Sequence, residues 1–196
     1  MTDTAAALEF LGWLFDLTEG PVELRAVKDE GGAISVFTRD PEIVSVFLTR
    51  HDGAGRGVYF GVATRTPGTA RGDRAHCTML PALWVDGDYR KSGVDREEAM
   101  AALMTLPHPP SCIVASGGGL HSYWKLTEPI DLTSPDDDDA ITATLKQLAG
   151  VCAGDPKVCD VPRIMRLPGT VNWKPELGDG GVPCEVVFGG PLGEAG

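Results

Sequence analysis

The chain predicts an α+β fold in which a small α/β portion precedes a ferredoxin-like sheet, and three observations carry that prediction. From residue 81 onward, strand-like and helix-like segments follow the order β-α-β-β-α-β, the split βαβ arrangement. Within residues 1–80, a hairpin-like pair of alternating segments lies between two helical ones, with one more strand behind. Apolar residues make up 42% of the 196, enough for the core of a single domain spanning 1–196, with 1–80 and 81–190 as its two subdomains.

Residues 4–17 place Leu8, Leu11, Trp13, Leu14 and Phe15 at helical spacing. Residues 21–27 and 33–39 alternate like hairpin strands around Asp29–Gly32. The segment 41–50 opens with Pro41 and Glu42, which suits a helix start: proline has no N–H to leave unpaired there, and the dipole favours an acid. A strand at 57–65 leads into a loop at 66–80 rich in Gly, Thr, Arg and Pro, with Arg65 a candidate to line a template or nucleotide groove. The stretch "LPALWVDGDYR" then carries a strand at 82–88. Asp95 and Glu98 have capping-box spacing at the start of a helix over 95–106. Strands at 111–116 and 120–126 flank a glycine turn, and the acids opening 136–150 read as a helix start rather than a metal cluster. The last strand is either 161–167 or 184–188.

A net charge of −11 excludes a free-standing clamp held on nucleic acid by its overall field, but is compatible with a local basic groove. Five cysteines without a C-x-x-C pair argue against a disulfide framework and a compact zinc site; a split site of Cys152 and Cys159 with His76 and Cys77 is the zinc alternative. They read as reduced, partly buried small residues. No run approaches the roughly 18 apolar residues of a membrane span, and the N-terminus lacks the basic start of a secretory signal. A cytoplasmic protein with no membrane partner is expected.

Chemistry concentrates in three stretches. Because strand side chains alternate, Asp86 and Asp88 share a face, with Gly87 turned toward the helices, where a larger side chain is expected to crowd the core. The strand at 120–126 fits between 82–88 and 111–116, which sets His121 beside the aspartates; with helices on the apolar face of Leu120, Trp124 and Leu126, all three meet on the open side of the sheet. Two carboxylates on one face repel unless a cation sits between them, and hard divalent ions prefer such oxygens. Alone, the pair also fits a solvated strand end. In "SGGGLHSYW", glycines after Ser116 let backbone N–H groups approach an anion, and His121 can donate to a phosphate. Alone, this is also an ordinary glycine hairpin. In "CDVPRIMRLPGTVNWK", Asp160 precedes Arg163, Arg166 and Lys174, suited to phosphate oxygens but equally to a surface ion-pair patch. Together the three make a site for a nucleoside triphosphate with metals.

In order and spacing, "WVDGDYR", "SGGGLHSYW" and "CDVPRIMRLPGTVNWK" resemble motifs I, II and III of the archaeo-eukaryotic primase superfamily, nearest to RepB-like primase-polymerase domains of phage and plasmid replication proteins. The resemblance implies the fold of that family, with an RRM-like catalytic subdomain. It also implies a template-dependent primase and DNA polymerase acting on a single-stranded DNA template, a primer and nucleoside triphosphates. Asp86, Asp88 and Asp160 would be catalytic and hold Mg²⁺ or Mn²⁺. His121 would contact the triphosphate, Arg163 and Arg166 would bind phosphates, and Ser116 and Lys174 would complete the nucleotide site. If Asp160 leads a fourth strand on the free edge of 82–88, the three acids converge, which favours 161–167 as that strand. The chain departs from some relatives in lacking a zinc module and a helicase motif, and a helicase domain further along a longer polypeptide is the expected partner. Two alternatives have other chemistry: an RRM-like binding module stacking bases on Trp84 and Tyr123, and another metal-dependent phosphodiesterase.

Overall fold

The computed structural model describes residues 1–28, 32–89, 93–134 and 138–193. Helix α1 (Thr4–Phe15) begins where the Asp3 carboxylate accepts the Ala6 N–H at 3.0 Å, and buries Ala7, Phe10, Leu11, Leu14 and Phe15 along one stripe. Strands β1 (Val22–Val27) and β2 (Ala33–Thr38) form the antiparallel hairpin; its turn at 29–31 lies outside the described residues. Helix α2 (Pro41–His51) starts on Pro41, capped by Asp40, and β3 (Gly57–Thr64) pairs with β1.

The second half runs β4 (Met79–Gly87), α3 (Arg96–Met104), β5 (Cys112–Ala115), β6 (Leu120–Asp131), α4 (Asp138–Val151), β7 (Ile164–Arg166), β8 (Val171–Asn172), β9 (Val182–Pro183) and β10 (Glu185–Gly189). Asp95 caps α3 by accepting the Glu98 N–H at 2.8 Å. Asp138 and Asp139 occupy the first turn of α4, where Asp138 pairs with Arg74; Asp136 and Asp137 lie outside the described residues.

Two four-stranded sheets result, ordered β2-β1-β3-β7 and β10-β5-β6-β4, with β8 and β9 forming a small ladder. β6 sits between β4 and β5, antiparallel to both, as the strand order predicts. The fourth-strand expectation needs correction. Residues 164–166 join β3 in the other sheet, in register Tyr59↔Arg166, and β10 closes the sheet of β4 and β6 beside β5. The physical reason is that the free edge of β4 is already covered: the Asp155 N–H bonds Asp86 O at 2.8 Å, and the Trp84 indole donates to Val158 O at 2.9 Å.

One buried cluster runs through both sheets, and Phe10 of α1 is its hinge point. Its ring lies 5.3 Å from Phe60 of one sheet and 5.6 Å from Tyr123 of the other, both edge-on. The face of β4 and β6 expected to be open is therefore covered along most of its length. Trp84 and Tyr123 are each 1% exposed, which removes the stacking platform an RRM-like binding module would need. On the opposite face, α3 packs Leu103 over Ile113, Ala115 and Leu120, whereas Trp124 and Leu126 stay half-exposed. Arg65 does not line a groove. It is 0% exposed and donates to Glu23 at 3.0 Å and to Ala63 O at 2.6 Å.

All five cysteines are free; four are buried and Cys152 is half-buried. Burial pushes the Cys112 and Cys184 thiols up to about 12, far from the thiolate form that reacts. Treating the folded chain with iodoacetamide is expected to label Cys152 first and to leave Cys112 and Cys184 unmodified in digests read by mass spectrometry. The reverse order would contradict the packing. Among the described residues, no helix is long and apolar enough to cross a membrane.

Candidate active site

The C-terminal end of β4 and the N-terminal end of β6 lie side by side, with Asp86 opposite His121 and Gly87 opposite Leu120. This register brings the His121 Nε2 to 3.7 Å from Asp86 Oδ1. Beyond the aromatic core the sheet face opens into a cleft of about 630 Å³, which Asp86, Asp88, Ser116, His121, Arg166 and Lys174 line together. Six of the eight residues expected from sequence thus share one cavity.

The glycines explain how the strands approach so closely. A Cβ on Gly119 would clash with Gly87 O and crowd the Asp88 Cα, so only glycine lets the β5–β6 turn close against the aspartate strand. Ser116 closes that turn, its N–H and hydroxyl both donating to Gly119 O, while its carbonyl accepts from Asn172 at 2.8 Å. Gly87 is not the crowded position: a Cβ there would meet only Leu120 O, at 3.5 Å.

Asp160 and Arg163 are not part of the cleft lining. They form an ion pair with each other, Arg163 Nε donating to Asp160 Oδ1 at 2.7 Å, and Arg163 also caps Lys157 O at 2.9 Å. The acid that lines the cleft besides Asp86 and Asp88 is Asp155, which was not expected from the sequence. Its position is tightly specified. Ala153 adopts φ +52°, the only non-glycine at positive φ among the described residues, and a Cβ on Gly154 would collide with Val85. The available signal was "AGDP", but that reads as turn chemistry, and Asp155 does cap the short helix 156–158 by accepting the Lys157 N–H at 2.8 Å. Tyr59 was also missed, since only the β3–β7 pairing sets it beside Arg166.

Polar groups in this cleft are left wanting partners. His121 is 6% exposed and Arg166 4%, and each has a buried nitrogen, His121 Nδ1 and Arg166 Nη1, without a hydrogen-bond partner among the described residues. Such groups cost about 1–3 kcal/mol each when unmet. Burial holds the His121 pKa below its ordinary value; Asp86 opposes this and Arg166 reinforces it. The imidazole is therefore neutral at pH 7, able both to donate and to accept. Lys174 is exposed and lies 3.8 Å from Glu176.

Carboxylate oxygens are the donor set for a hard divalent ion. Among the described residues, no three of His, Cys, Asp and Glu stand together as a metal cage. Asp86 and Asp88 nonetheless fit Mg²⁺ or Mn²⁺, because Mg²⁺ is ordinarily held by one or two carboxylates with waters and substrate phosphates in its other positions.

No family model and no curated protein matches the chain. Solved structures do. The primase-polymerase domain of cyanophage S-2L aligns over 97% of this chain and 92% of its own length, with a TM-score of 0.67 at 17% identity. The chain has the archaeo-eukaryotic primase-polymerase fold. The primase RepB′ shares that fold over 93% of this chain and 56% of its own, at TM-score 0.63 and 15% identity. The polymerase domain of Mycobacterium tuberculosis ligase D, solved with DNA, is more distant, with a TM-score of 0.51 over 93% of this chain and 79% of its own at 13% identity. In the primase-polymerase fold seen here, the cleft lies where the two sheets meet.

Proposed function

We propose that this chain is a template-dependent DNA primase and DNA polymerase, a cytoplasmic nucleotidyltransferase of phage or plasmid replication. The observation that carries the proposal is one cleft in which strand-end carboxylates face the buried phosphate-type donors His121 and Arg166. Asp86 and Asp88 would hold two divalent ions, Mg²⁺ or Mn²⁺. When bound, such ions supply Lewis-acid stabilisation of the attacking 3′-hydroxyl and of the triphosphate charge. His121 and Arg166 orient the triphosphate, His121 gaining the hydrogen bond its buried Nδ1 lacks. Ser116 sets the turn that aligns β6 with β4, and Lys174 adds a point charge at the rim. A helicase domain on a longer polypeptide belongs to the same proposal.

Incubating the chain with Mn²⁺, a single-stranded template, primer and labelled nucleotides, then sizing the products, is expected to show extension. Shortened products would favour a nuclease. A metal-independent gel shift without incorporation would favour a binding module.

We assign the role of third acid to Asp155 in place of Asp160, as a carboxylate lining the cleft near the ions rather than a third member of a metal cage, because Asp155 lines the cleft and Asp160 is committed to Arg163. Asp155→Asn is expected to reduce incorporation about a hundredfold, two powers of ten being roughly 2.7 kcal/mol of transition-state stabilisation. Asp160→Asn breaks a part-exposed pair worth at most about 1 kcal/mol and should leave incorporation within a few-fold. Primer-extension rates for the two variants decide between them; a collapse confined to Asp160→Asn would return the role to that residue.

A further inference from the structure

Tyr59, Arg166 and Lys174 form a wall with a cavity on each side. One is the cleft described above; the other, of about 330 Å³, is completed by Val27, Lys28, Gly55, Gly57 and Trp173. The two differ in charge. Asp86, Asp88 and Asp155 line the first, whereas the second has three cations and two aromatic rings in its lining and no acid. In a chain of net charge −11, an acid-free basic cavity is a local reversal of the field.

Its shape is built by the sheet. Register sets Tyr59 opposite Arg166, whose guanidinium lies 4.6 Å over the ring and donates through Nη2 to the phenol at 2.7 Å. At Gly57 a Cβ would come within 3.0 Å of Arg166 Nη1 and 3.2 Å of the Tyr59 ring, so a side chain there would press on this pair. Arg166 Nη1, the buried atom without a partner, is therefore beside Gly57 on the side of the second cavity. Trp173 is fixed by its indole N–H, which donates to the fully buried Asp52 at 3.0 Å, and Lys28 is exposed at the mouth.

We infer that this second cavity binds a nucleotide of its own, with a phosphate among Lys28, Arg166 and Lys174 and a base beside Trp173 and Tyr59. Guanidinium and ammonium groups supply charge-assisted bonds to phosphate oxygens, and aromatic rings accept any base by stacking. A phosphate here gives Arg166 Nη1 its missing partner. The nucleotide is either one residue of a DNA strand or a second free nucleotide. The inference rests on reading the first cleft as the seat of the incoming triphosphate.

The test is Lys28→Ala, with Lys28→Arg as the conservative variant and Lys146→Ala on exposed α4 as the charge control. Binding of a labelled single-stranded oligonucleotide is followed by fluorescence anisotropy across a salt series, and nucleotides bound per chain in Mg²⁺ are counted by calorimetry. Lys28→Ala is expected to weaken strand binding about fivefold to tenfold and to lower the salt slope by about one, since one phosphate contact is lost. Lys28→Arg should restore both, and Lys146→Ala should change affinity less than about twofold. If strand binding holds but the bound nucleotide count falls by one, the site stands and takes a free nucleotide. Unchanged affinity, slope and count in Lys28→Ala overturn it. Incorporation by the wild-type chain is measured alongside: activity with an indifferent Lys28→Ala defeats the second site alone, and no activity with weakened strand binding defeats the functional reading alone.

Discussion

Asp86→Ala is expected to lower nucleotide incorporation by about a thousandfold or more, and Asp88→Ala to do the same, because removing a carboxylate from an ion pocket forfeits several kcal/mol of transition-state stabilisation. Folding should survive. The Asp86 side chain is 36% exposed and packs into no buried cluster, and the main-chain bond that secures Asp155 uses the Asp86 carbonyl, which alanine retains. A melting temperature within a few degrees of wild type is therefore expected by circular dichroism, as for a surface substitution worth about 0.5 kcal/mol. Primer extension gives the rate. Full activity in both variants would sink the proposed function, and loss of folding would place these carboxylates in the structure rather than the chemistry.

Glu23→Ala is expected to cost about 3–5 kcal/mol of stability, enough to threaten a domain of ordinary stability. Glu23 and Arg65 are both 0% exposed. One Glu23 oxygen accepts from Arg65 at 3.0 Å, and the other from Arg25 at 2.8 and 2.5 Å and from Ser35 at 3.2 Å. Without the carboxylate, Arg65 is left as an uncompensated charge in the interior, with its Nε already lacking a partner. Urea unfolding measures the loss. Replacing both together, Glu23→Leu with Arg65→Met, is expected to recover most of it, because well-packed apolar side chains need no solvation. A single-variant loss below about 1 kcal/mol would mean that water reaches the pair.

Local features were legible because they depend on neighbours in sequence. Asp95 caps the helix that follows it, Pro41 and Glu42 open theirs, and alternation sets Asp86 beside His121 once the β-α-β-β order is read. The motif resemblance reached the same fold from three short stretches. What escaped the reading depends on contacts between distant segments. Residues 161–167 look like a strand but carry no mark of which sheet they join. Their choice was decided by β3 having a free edge while that of β4 was taken by Asp155 and Val158. Asp160, next to the arginines in sequence, turned to the nearest of them; Asp155 reached the cleft because Ala153 and Gly154 bend the chain against Val85.

From residue order alone follow the α+β class, the strand pairing that joins Asp86 to His121, and a glycine turn between β5 and β6. These rest on side-chain alternation, helix capping and turn chemistry, each effective over a few residues. Tertiary structure alone decided that Tyr123 and Trp84 are core, that Arg65 is a buried ion rather than a groove residue, and that Arg166 stands between two cavities. The reason is packing: Phe10 brings the two sheets together, and only their meeting determines which polar side chains are sealed in and which face the cleft.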